Sequence, residues 1–368
     1  MGARLGTAVF WRLLVAALAL GLCGTSDAGS ADARASDERR SRDRLVFDRS
    51  FPPFQTGPSR SHVYVMNADG TRLKALTSGN MEHRNAGAAP DGRWIAFHRC
   101  PSPGPRCTPY VIRPDGSGAK RILGGRFLQT RPWSPDSKSL LVRTQATLLV
   151  VSVDGKSVRR LPIRTDRLRE TAWSPDGRYL AFARFAVGPK RASTIEVAEL
   201  STGRVRRIAA APTRASLRSP VWLRDGKRVV FAKHPSSAAP DEIWVARARG
   251  RGEGRLVARV FGLLDRSSSL EVSPIADKIL FTASDYGGAI EVVNADGTGR
   301  RELISVGHAP SFGPTWSPDG RRIAFLRPEP EGGDKTRVWV MSADGNGARE
   351  LCRCGYAGSL KWLPGVKR

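Results

Sequence analysis

The chain has 368 residues, with 60 Lys and Arg against 34 Asp and Glu and a formal net charge of +26. The excess is carried by 49 Arg and only 11 Lys, scattered rather than clustered, a skew that GC-rich codon usage alone would give. Nucleic acid is therefore not expected as a partner, while an anionic envelope component such as wall polymer or lipid head groups stays open.

In chain order, the first element is a leader over 1–28. Arg4 and Arg12 precede the apolar run LLVAALALGLC (13–23), and the small, polar GTSDAGS follows. A basic start, a short apolar centre and a small-residue exit describe a secretory signal, with cleavage expected after Ala28. The run is too short for the roughly 20 apolar residues of a membrane span. A lipid anchor on Cys23 is the weaker alternative, because Leu22 before it is bulky. Residues 29–43, GSADARASDERRSRD, are almost without large apolar groups and read as a disordered spacer.

From residue 44 onward the chain repeats itself. TAWSPDGRYLAF (171–182) returns almost letter for letter as PTWSPDGRRIAF (314–325). Motifs related to WSPDG stand at 88–92, 133–137, 173–177, 222–226, 272–276, 316–320 and 362–366, a mean spacing of about 46 residues. Seven residues after the central position of the first six motifs come Phe97, Val142, Phe182, Phe231, Phe281 and Phe325, each closing a short β-branched or aromatic run that reads as a strand. A second strand then ends in a glycine turn, as in VYVMNADG (63–70), IEVVNADG (290–297) and VWVMSADG (338–345); the fourth copy ends ELSTG instead. Asp-Gly suits tight hairpins, since Gly accepts positive φ and the Asp side chain hydrogen-bonds the turn backbone. Each unit thus reads as strand A, a PDG turn, strand B, a variable loop, strand C, a DG turn and strand D. Repeats are numbered by their WSPDG motif, the first copy (88–92) opening repeat two and the last (362–366) closing repeat one.

These phrases, W-S-P-D-G-R-x-I-A-F followed by V-M-N-A-D-G, resemble the TolB-type β-propeller repeat over essentially all of 44–366. The expected fold is all-β, a seven-bladed β-propeller of four-stranded blades. Because the chain enters at strand B (44–50) and ends on an orphan motif (359–365), the first blade should be closed by the C-terminal strand, which removes an exposed edge. TolB itself looks like a six-bladed ring with a separate amino-terminal domain, so six blades are the alternative; no such domain is expected here. The resemblance implies an exported, monomeric, non-enzymatic scaffold binding a protein or peptide in the bacterial cell envelope. The protein is placed outside the cytoplasm and at most peripherally on a membrane. The alternative is a metal-dependent lyase or hydrolase acting on acidic polysaccharide, as some propellers of this kind are.

Motifs of chemistry are sparse. GKS (155–157) is no phosphate loop, because Val150 stands where its first Gly must be. No G-x-S-x-G or H-E-x-x-H occurs, and neither catalytic residues, a cofactor nor a metal is expected. His62, His98 and His234 lie on or beside strands and read as structural. Topology points instead to the face that holds the irregular B–C loops and the D–A links. There the channel mouth should gather His83, Arg84, Arg126, Arg167, Arg169, Arg218, Asp265, Arg266 and His308 as a basic ligand-facing ring. Four Cys follow the leader: Cys100 and Cys107 are expected to bond across their Pro/Gly loop, while Cys352 and Cys354 either pair locally or stay reduced.

Overall fold

A computed structural model describes residues 43–51, 60–101, 107–124, 129–185, 192–212, 215–235, 239–250, 254–262, 270–283, 288–305, 312–329 and 335–366. Every described residue belongs to one compact unit, 39–368. The leader, nearly all of the spacer and most of the B–C loop tips lie outside the described residues.

The SPDG segment is a self-contained turn. Ser174 Oγ donates to Asp176 Oδ1 at 2.5 Å, Arg178 N donates to the same oxygen at 3.0 Å, and Tyr179 N donates to Ser174 Oγ at 2.9 Å. The same set recurs at Ser134, Asp136 and Ser139 and at Ser317, Asp319 and Arg322. Burial by itself would raise the Asp176 carboxyl, but these hydrogen bonds outweigh it and hold the group below its ordinary value. The turn delivers the chain into strand B with its aromatic facing inward. Phe47, Phe182, Phe281 and Phe325 are fully buried, each contributing roughly 1.5–3 kcal/mol.

Among the described residues the strands form four separate four-stranded sheets, over 129–161, 168–210, 216–260 and 271–305, and one 11-stranded sheet. Strands that follow one another in sequence pair antiparallel in each four-stranded sheet. The large sheet holds repeats one, two and seven. Its long strand Arg349–Leu363 pairs first with Thr336–Ser342 and then, through 356–363, with Arg44–Phe51, so that Leu45 faces Trp362. The pairing expected between the last motif and the first strand is present.

Contacts between repeats follow two rules. Three of the tryptophans that end strand A donate backwards to strand A of the preceding repeat: Trp133 Nε1 to Gly87 O, Trp222 Nε1 to Ala172 O and Trp362 Nε1 to Thr315 O, at 2.9–3.0 Å, whereas the buried Nε1 of Trp316 has no such partner. Basic residues of strand D donate forwards to a carbonyl in the next repeat's C–D turn. Lys74 reaches Asp115 O, Arg159 Leu200 O, Arg206 Arg249 O, Arg255 Ala295 O, Arg301 Asp344 O and Arg349 Asp69 O, at 2.7–3.2 Å. Six of the 60 basic residues therefore work as latches between repeats, each bond contributing about 0.5–1.5 kcal/mol. In both rules, the step between repeats seven and one is made like the others.

Candidate functional site

The chain enters repeats two to seven through strand A, and that strand is bent in a recurring way. Its pairing with strand B slips between Arg84 and Gly87, between Leu168 and Thr171, between Arg218 and Val221, and between Phe312 and Thr315. Positive φ occurs beside these slips at Asn85 (56°), Arg167 (59°), Ser219 (53°) and Gly313 (64°), and at Ser359 (46°) in repeat one. A bulge inserts a residue, increases the local twist and re-aims the side chains beside it. Here it lies beside Arg84, Arg167, Arg169 and Arg218, four of the residues expected at the mouth.

Their surroundings differ. Arg84 pairs with the buried carboxylate Glu82. Arg169 is exposed and stacks its guanidinium 4.9 Å from the centre of the Phe185 ring. Arg167 O accepts from Phe185 N at 3.1 Å, which fixes the entry to repeat four. Arg143 approaches the same entry, donating to Leu168 O and Thr165 O, and desolvation first, then the charge of Arg169, lowers its pKa. Arg184 joins from strand B, paired with Asp166 at 3.6 Å and Glu196 at 2.9 Å. Arg143 of repeat three therefore meets Arg167, Arg169 and Arg184 of repeat four at the entry to that repeat. Arg218 donates to Ser216 Oγ at 3.1 Å in repeat five.

His83 differs from its expected place on an open rim: it is 4% exposed. Its Nδ1 donates to Ser61 O at 3.1 Å, with His62 Nδ1 at 3.4 Å, and its ring meets the edge of Phe97. Desolvation lowers its pKa to about 4, so at neutral pH it is an uncharged packing residue. The groups that cover it are Ser61 and His62 on strand C of repeat one, which pairs here with strand A at Ser61 and Glu82, and Phe97 on strand B of repeat two. Arg126, Asp265, Arg266 and His308 lie outside the described residues.

Asp48, a buried carboxyl beside strand A of repeat two, is absent from the set of residues expected at the site. It sits between repeats one and two, held by the Ser359 side chain and the backbone of Asn85 and Ala86, and desolvation raises its pKa. Its signal was a lone acidic residue directly after the core Phe47, where the other repeats carry His98, Arg143, Ala183, Ala232, Thr282 and Leu326. Among the described residues no three His, Cys, Asp or Glu side chains converge to hold a metal ion. The sulfurs of Cys100 and Cys107 are brought together across Cα atoms 4.2 Å apart, and those of Cys352 and Cys354 across 5.4 Å.

Repeated four-stranded sheets, joined by strand-A tryptophans and strand-D latches, define a β-propeller. The chain belongs to the TolB beta propeller domain family, whose pattern matches residues 142–364. No curated protein matches the sequence. Among solved structures, a prolyl endopeptidase is similar with a TM-score of 0.61 and 15% identity over 91% of this chain and 54% of its own. The chain thus spans about half the length of that enzyme. An oligogalacturonate lyase in complex with manganese is similar at 0.59 and 16%, over 84% of each chain. A putative TolB from Agrobacterium tumefaciens is similar at 0.51 and 19%, over 70% of this chain and 99% of its own. At these identities the likeness is one of fold.

Proposed function

We propose that this protein is an exported, non-enzymatic scaffold that binds a protein or peptide partner in the bacterial cell envelope. Its framework is a closed ring of seven four-stranded blades. The observation that carries the reading is membership of the TolB propeller family over residues 142–364. The ring is supported by the Leu45–Trp362 pairing and by the Trp362 and Arg349 bonds, which repeat between the last and first blades what joins the others. The scaffold role is supported by where titratable groups are used: His83 is buried and neutral, and the Asp side chains of the SPDG segments are engaged in turns. Export is supported by the leader pattern at 1–28, and the oxidising compartment it implies suits a Cys100–Cys107 disulfide, which non-reducing peptide mapping checks.

Affinity capture from envelope extracts should recover a defined partner with the mature protein in the envelope or culture fraction. The second reading is a metal-dependent lyase or hydrolase acting on acidic polysaccharide, favoured by the fold likeness to a manganese-bound oligogalacturonate lyase. Metal analysis separates the two. Stoichiometric manganese or zinc in the purified protein, with turnover of acidic oligosaccharide, would replace the scaffold reading.

A further inference from the structure

A groove of about 1000 Å³ opens between repeats four and five, on the face that carries the A–B and C–D turns. This is the face opposite the expected mouth. Its floor is formed by Tyr179, Val197, Trp222 and Ala248. The C–D turn differs at this step. In repeats one, three, four, six and seven, the C–D turn glycine sits so close to the preceding repeat that an added Cβ would fall 2.3–3.1 Å from it. Repeat five has RARG (247–250) in place of the usual ADG turn. The atoms nearest a Cβ on Gly250 are those of its own Arg247, and not of repeat four. That close contact is missing here, as it also is at Gly116 of repeat two, whose nearest neighbour would lie 3.8 Å away, and the groove opens at the turn ends of repeats four and five.

Eight cationic and three acidic side chains line the groove. The acids are already engaged: Asp176 in its own A–B turn, Glu199 with Thr202 Oγ1 at 2.9 Å, and Asp225 with Arg228 at 2.6 Å. Arg206 and Arg224 are tethered to the carbonyls of Arg249 and Ile275, which fixes their guanidinium groups. Arg178, Arg204, Lys227, Arg247 and Arg249 make no ion pair with any described residue. Arg249 lies 4.9 Å over the Tyr179 ring. Five uncompensated cations around one concavity attract carboxylates, which the guanidinium fork binds in a bidentate way.

We propose that this groove binds an acidic peptide segment of a partner protein, carboxylates to the arginine walls and an apolar side chain to the Tyr179–Trp222 floor. A volume at the upper end of the range for drug-sized ligands far exceeds the needs of a single oxyanion. The cations also come from four separate chain segments, the A–B turns of both repeats, strand D of repeat four and the C–D turn of repeat five, so a chain of carboxylates matches them. Choosing a peptide rests on the scaffold reading above.

The test uses the mature full-length protein and a fluorescent synthetic peptide in which Glu alternates with Leu and Phe, followed by anisotropy. Binding should be saturable, weaken with salt, and fall about tenfold or more in the Arg204→Glu/Arg247→Glu variant. Arg93→Glu/Arg321→Glu, which makes the same charge change at exposed A–B turns elsewhere, should leave it within about twofold. Equal loss in both pairs, absence of binding, or displacement of the peptide by equimolar inorganic phosphate would each overturn the proposal. Loss confined to Arg167→Glu/Arg169→Glu would move the peptide to the mouth, sinking the groove while the scaffold reading stands.

Discussion

Trp133, Trp222 and Trp362 each fill an inter-repeat core and spend their single N–H on a carbonyl of the preceding repeat. A buried indole needs that partner, because an orphaned donor costs about 1–3 kcal/mol. His83 solves the same problem differently, by staying neutral. Its ordinary pKa of 6.5 falls to about 4 on folding, so between these values the unfolded chain takes up a proton that the folded one refuses. Its contribution is complete above pH 6.5 and is lost as pH falls towards 4. The stability difference between the wild type and His83→Gln should therefore shrink by on the order of 3 kcal/mol from pH 7 to pH 4, as read from urea unfolding at the two pH values. A difference that stays constant would place His83 in water. Taking the variant as reference removes Asp48, whose raised pKa acts in the opposite direction.

At the scale of the element, the C–D turn acts as a spacer between blades. Gly345 has φ of 91° and a Cβ there would meet Leu303 O of repeat six at 2.5 Å, whereas Gly347, at 62°, has open space around it. Gly347→Ala should cost about 1 kcal/mol, the left-handed conformation alone. Gly345→Ala adds a backbone collision and should cost roughly 2–4 kcal/mol. Equal losses in denaturant unfolding would mean that the turn does not set the spacing. The SPDG turn, the buried Phe series and these glycines were legible in the sequence because each is a local device at a fixed offset. The strand-D latch was not: Arg159 and Leu200, or Arg301 and Asp344, are more than forty residues apart, and scattered arginines read as codon bias. The burial of His83 was hidden as well, since a polar H-R-N stretch gives no sign that its first residue turns inward. The groove left one trace, RARG where the other repeats close with glycine turns, and it became meaningful only once the neighbouring sheet stood opposite.

For the whole molecule, the question is what holds the first and last blades together. Each sheet contacts its neighbours along the chain, so an open array would expose two apolar faces and two unpaired edges. The strand Arg349–Leu363 crosses from repeat seven into repeat one, and in the ring proposed above this crossing is what would bring the first and last repeats together. Side chains secure the crossing: Arg322 pairs with Asp43 at 2.8 Å and stacks 4.8 Å over the Trp362 ring, and Arg349 donates to the turn at Asp69. Trp362→Ala leaves the backbone pairing and should cost about 3–5 kcal/mol through the lost ring and its hydrogen bond, with unfolding still a single transition. Deleting 356–368 removes the strand itself and leaves Arg44–Phe51 as an edge. Repeat one should then open first, so hydrogen exchange should rise over 44–51 and 60–67 well below the main transition, and the denaturant slope should fall. A truncated chain that unfolds in one step at the wild-type midpoint would overturn the proposal that this strand closes a ring.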